Sequence, residues 1–132
     1  MNNFFIIKKS VKKLDNLAEM YSYCDETNCG EVAVCEGKKI SVVGYIDQSN
    51  LTAEKFFLND SSNPSSLKAN LEVRFSGDTN TNQDIFNKFN ALAKNQNNPV
   101  TVSGIISGFD MPIMGTCKRG FNLNLSDESA ID

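Results

Sequence analysis

The stretch 37-GKKISVVGYI-46 decides how the rest of the chain reads. Ile40, Val42 and Ile46 fall on one face, with Gly44 at the fourth step, while Ser41, Val43 and Tyr45 fall on the other. Period-two alternation with β-branched residues is the pattern of a half-buried strand. A glycine inside such a strand marks a bulge, a sharp bend or a close backbone approach. The pattern returns at 100-VTVSGII-106, where Val100, Val102, Gly104 and Ile106 take the places of Ile40, Val42, Gly44 and Ile46. Two strands, each bent at a glycine, suit a small, strongly coiled barrel.

Working outward toward the C-terminus, residues 47–54 are polar and read as a loop. Residues 55–59 form a second strand, with Phe56 and Leu58 facing one way and Phe57 the other. The turn formers of 60–66 lead to a third strand at 71–75, with Leu71, Val73 and Phe75 inward and Glu72 and Arg74 outward. These two strands read as a hairpin. Thr81 then reads as a helix N-cap with Asp84 as its box partner. Ile85, Phe86, Phe89, Leu92 and Ala93 form the apolar stripe of a helix over 83–94, which Pro99 closes before the fourth strand. Residues 109–119 read as a long, partly apolar loop, and Phe121, Leu123 and Leu125 as the inward positions of a fifth strand. The acidic tail 127–132 reads as frayed.

Toward the N-terminus, Ile7, Val11, Leu14, Ala18 and Tyr21 recur at steps of four and three, which predicts an amphipathic helix over 4–23. Lys8, Lys9, Lys12 and Lys13 gather early on it, an order that opposes the helix dipole. Such a helix suits a cap over the end of the barrel, or a membrane surface or acidic partner. Residues 24–30 read as a loop, and 31–36 as a short helical turn or strand extension ending at Gly37. The chain divides into an N-terminal helix with a cysteine-containing linker, 1–36, and a β domain, 37–132.

The order strand, strand, strand, helix, strand, strand is that of the OB-fold, a five-stranded Greek-key barrel with a helix between strands 3 and 4. Over residues 37–126 the chain resembles the small bacterial OB-fold domains of the nucleic-acid-binding, transfer-RNA-anticodon-like superfamily, in particular the short OB-fold proteins of Bacteroidetes, many of them predicted lipoproteins. The residues that carry the resemblance are GKKISVVGYI at 37–46, NPVTVSGIISGFD at 98–110 and CKRGFNLNL at 117–125. The chain departs from the lipoprotein pattern in having no signal peptide and no lipobox cysteine. As written it reads as cytoplasmic; a chain that had lost an export signal would read the same, and would belong to the envelope or periplasm. No stretch approaches a membrane span.

With 132 residues, the chain is one domain by size. Its net charge of −3 argues against tight, non-specific nucleic-acid binding, which depends on neutralising phosphates. The chain contains no histidine, so the commonest general base and metal ligand are missing. Neither C-x-x-C, nor a G-x-x-x-x-G-K-S/T phosphate loop, nor G-x-S-x-G is present. No catalytic residue, cofactor or metal site is expected, although Cys117 beside Lys118 and Arg119 would be an activated thiol if exposed. Cys24, Cys29, Cys35 and Cys117 leave three states open: free thiols, disulfides or zinc. The spacings suit zinc poorly. A bridge from Cys117 to Cys24, Cys29 or Cys35 would tie the N-terminal segment to the barrel and close a long loop.

The function expected is a non-enzymatic binding module for single-stranded DNA or RNA, carried on the second and third strands and the neighbouring loops. Its candidate residues are Tyr45, Lys55, Phe57, Arg74, Phe109, Lys118 and Arg119, aromatic faces for bases and cations for phosphate; Lys68 lies near them. The carboxylates Asp47, Glu54, Asp60, Glu72 and Asp110 stand among these positions and would repel phosphate. The alternative is a protein- or peptide-binding module, in which Phe109, Met111, Ile113 and Met114 around Pro112 offer an adaptable apolar surface.

Overall fold

The computed structural model describes residues 11–25, 27–47, 51–52, 54–60, 70–94 and 98–125. It is mainly β, with one six-stranded sheet and two helices. In chain order the elements are β1 (Lys12–Leu14), α1 (Leu17–Cys24), β2 (Lys39–Ile46), β3 (Lys55–Asn59), β4 (Asn70–Phe75), α2 (Thr79–Ala93), β5 (Val100–Ile113) and β6 (Thr116–Leu125). Hydrogen-bonded neighbours run β1-β2-β3-β4-β6-β5, and β5 pairs in turn with β2. The pairings β1–β2 and β4–β6 are parallel and the others antiparallel.

The alternation in β2 is realised as buried Ile40, Val42, Gly44 and Ile46 against half-buried Ser41, Val43 and Tyr45. In β5, Val100, Val102 and Ile106 are buried on the matching face. At Gly104 the β6 backbone comes close: a Cβ there would collide with the Asn124 carbonyl. The centre of the core is aromatic, with Phe56 and Phe89 at 3.9 Å between ring centroids and Phe75 close to both. Phe89 comes from α2, whose Ile85 is also fully buried, so the helix seals the sheet through one stripe.

The helix expected over 4–23 is corrected. Residues 1–10 lie outside the described residues, Lys12–Leu14 is a strand, and the helix is confined to Leu17–Cys24. Antiparallel β3 pairs only with Tyr45 and Ile46 of β2, and β1 pairs with Ile40, Ser41 and Val42. Those backbone groups would otherwise lack a partner, and satisfying them outweighs the helical periodicity of 7–21. Asn16 then starts α1, its side chain accepting the Glu19 N–H at 2.7 Å. Leu17, Met20 and Cys24 are its buried stripe.

Two further expectations change. The α2 cap is Asp78, which accepts the Thr81 N–H at 2.7 Å, so the helix begins at Thr79 and Thr81 lies inside it. The stretch 109–119 is a hairpin and not a loop: β5 and β6 run to Ile113 and Thr116 around Met114 and Gly115. Both turn residues have positive φ, 46° and 84°, which matches the twist of a two-residue hairpin turn. At 31–36 the chain makes a turn, with the Glu36 N–H bonded to Ala33 O and Gly37 at φ 77°. The tail 127–132 and Lys68 lie outside the described residues.

Candidate functional site

A cleft of about 760 Å³ opens between α1, the outer face of β3 and β4, and the β5–β6 hairpin. Its walls are aromatic: Tyr21, Phe57, Phe109 and Phe121, with Met111 beside them. Each ring has a local reason for its place. Phe57 is the outward residue of β3, opposite Glu72 of β4. Phe109 pairs with Gly120, and its ring lies over the glycine, where a Cβ would come within 2.6 Å of the ring carbons. Tyr21 donates its hydroxyl to the Asn70 carbonyl at 2.5 Å and sits 6.4 Å from the Phe121 ring. Burial pushes the Tyr21 phenol above its ordinary value.

The floor of one side is held by two disulfides and an ion-pair clamp. Cys24 is bridged to Cys35, and Cys29 to Cys117. The sulfur of Cys117 is therefore no free nucleophile. Arg119 forks onto Glu36 through Nη2–Oε1 at 2.8 Å and Nε–Oε2 at 3.1 Å, and reaches Asp110 Oδ1 through Nη1 at 2.9 Å. Glu36 also accepts the Ala33 N–H at 2.6 Å, and Asp110 the Gly30 N–H at 3.2 Å. The Arg119 N–H bonds Thr27 O, and the Cys29 N–H bonds Cys117 O. The segment between α1 and β2 is thus stitched along β6. The hydrogen bond from Arg119 is the main reason the Glu36 carboxyl lies below the usual value; burial opposes it and the Ala33 N–H adds to it. The same fork, with Asp110, holds the guanidinium firmly protonated.

Of the residues singled out from sequence, Phe57, Phe109, Lys118 and Arg119 line the cleft, whereas Tyr45, Lys55 and Arg74 do not. Lys55 and Arg74 both pair with Glu72. Lys118 donates to Asn28 Oδ1 at 2.9 Å. Among the described residues the lining carries the carboxylates Asp25, Asp60 and Glu72 and the cations Lys118 and Arg119, with Glu72 already paired to Lys55 and Arg74. Phe109 and Met111 are 43% and 36% exposed, and Met114, at the hairpin tip, is 98% exposed. Sequence reading missed Tyr21 and Phe121 as site residues. Tyr21 looked like one more member of a helical stripe, and Phe121 like an inward strand residue; only the packing of α1 against β6 brings them together.

Among the described residues no group of three or more His, Cys, Asp or Glu is placed to hold a metal ion, and no helix is long and apolar enough to cross a membrane. No protein-family model, curated protein or solved structure matches the chain.

Proposed function

We propose that the chain is a non-enzymatic binding module on an OB-fold barrel, and that the cleft takes a peptide segment bearing an apolar side chain beside a positive charge. The fold reading is supported by the pairing order β2-β3-β4-β6-β5 with its return to β2, by β4–β6 as the parallel pair among these five, and by α2 between β4 and β5. The observation that carries the ligand class is the state of the cations. Arg119 is committed to Glu36 and Asp110, and Lys55 and Arg74 to Glu72, so a strand of phosphates would have to displace carboxylates to reach them. What remains is an aromatic trough whose ring faces suit an apolar side chain and, by cation–π contact, a neighbouring lysine or arginine. The two disulfides support an envelope or periplasmic setting for this module.

A display selection of peptides on the native chain, counter-selected on Phe57→Ala/Phe109→Ala, tests the reading. Recovered peptides should share an apolar residue next to a cation, and synthetic copies should bind the double variant about tenfold more weakly or worse. Recovery of the same peptides by the double variant would overturn the assignment. Single-stranded nucleic acid is the second reading, favoured by the four rings, which suit base stacking. It requires oligonucleotide binding that weakens steeply with salt and is lost in Lys118→Glu, a change that leaves the Arg119 clamp intact.

A further inference from the structure

A second cavity, of about 570 Å³, is lined by Val11, Lys12, Lys13, Tyr23, Lys38 and Lys39. Parallel pairing creates it: the register Lys12↔Ile40 and Lys13↔Ser41 brings the two lysines of β1 beside Lys38 and Lys39 at the start of β2. Lys12 Nζ sits over the Tyr23 ring at 5.2 Å from its centroid. Among the described residues neither carboxylate nor carboxamide lines this cavity, although acidic residues outnumber basic ones in the chain, 16 to 13. Among the described residues none of these four lysines has an ion pair, in contrast to Lys55, Arg74 and Arg119. Like charges on neighbouring strands repel. Lysines on an edge strand discourage edge-to-edge association, which accounts for Lys12 and Lys13. It does not account for Lys38 and Lys39, which lie at the start of β2, a strand paired with β1 on one side and β5 on the other.

We propose that this pocket is a binding site for a small anion carrying two or more phosphoryl groups. Four ammonium donors match several phosphoryl oxygens through charge-assisted hydrogen bonds, and the volume falls in the range of small-ligand pockets. Ligand binding here would relieve the mutual repulsion of the lysines and so fasten β1 to β2. The site shares no residue with the aromatic cleft, so it stands or falls independently of the peptide reading.

Calorimetric titration with inorganic tripolyphosphate, in low and in physiological salt, is the test. The expected result is one site per chain, weakened about tenfold or more in Lys13→Ala/Lys39→Ala by the loss of two charge-assisted hydrogen bonds, and unchanged in Phe57→Ala. Amide NMR of the unaltered protein supplies a second readout, with shifts expected at Val11, Lys12, Lys13, Lys38 and Lys39. Absence of binding, several weak sites, equal binding by the lysine variant, or shifts confined to other residues would each overturn the proposal. So would tripolyphosphate being inert while vesicles of anionic phospholipid bind through the same lysines, since that result would make the source a membrane and not a free anion.

Discussion

Removing the Cys29–Cys117 bridge by Cys29→Ala/Cys117→Ala is the sharpest perturbation of the site's framework. The bridge spans 88 residues, against 11 for Cys24–Cys35. In the chain-entropy account a loop of that length contributes about 5 kcal/mol, and the short one about 3 kcal/mol; measured bridges commonly give about 2–4 kcal/mol. For a chain of 132 residues, a loss of about 3 kcal/mol corresponds to a fall of roughly 10 °C in melting temperature. The assay is denaturant and thermal unfolding of the oxidised variant beside the native protein. Hydrogen exchange adds a local readout: the amides of Cys29 and Arg119, bonded to Cys117 O and Thr27 O, should exchange faster, while those of β2 change only with global stability. A loss below about 1 kcal/mol, or unchanged exchange at both amides, would refute the view that this bridge fastens the segment between α1 and β2 to β6.

Three other outcomes follow from the same geometry. Phe56→Ala, which empties the place beside Phe89 and Phe75, should lower stability by about 3–5 kcal/mol in denaturant unfolding. Asn16→Ala removes the acceptor of the Glu19 N–H and should lower stability by about 1 kcal/mol, with the loss of helix signal limited to α1. Glu36 has a depressed native pKa, so its contribution is complete above the ordinary value of 4.5 and is lost as pH falls through the lower native value. Melting temperature plotted against pH should therefore fall less steeply on the acid side in Glu36→Gln than in the native chain, and parallel curves would contradict the clamp.

Period-two patterns exposed β2, β3, β4 and the outer part of β6 in the sequence, because each has one buried face and short-range alternation suffices to show it. The extension of β5 and β6 past Phe109 was hidden by Pro112 and by a Met-Gly turn, since methionine is not a residue that announces a left-handed position. Strand β1 was invisible for a different reason. Its three residues are extended because β2 presents partners far along the chain, while their own spacing fits a helix. Phe57, Phe109, Lys118 and Arg119 were picked out by residue type on outward or loop positions. That Arg119 is occupied by Glu36 and Asp110 depends on contacts 83 and 9 residues away, which no local pattern carries.

The central claim is that the aromatic cleft receives an apolar, positively flanked peptide. Amide NMR of the isotopically labelled chain, titrated with a peptide recovered in the selection, tests it most directly. The account predicts shifts concentrated at Tyr21, Phe57, Phe109 and Phe121, with Lys12 and Lys39 unmoved. Shifts confined to residues outside the cleft, or saturable binding that survives Phe57→Ala/Phe109→Ala unaltered, would contradict it.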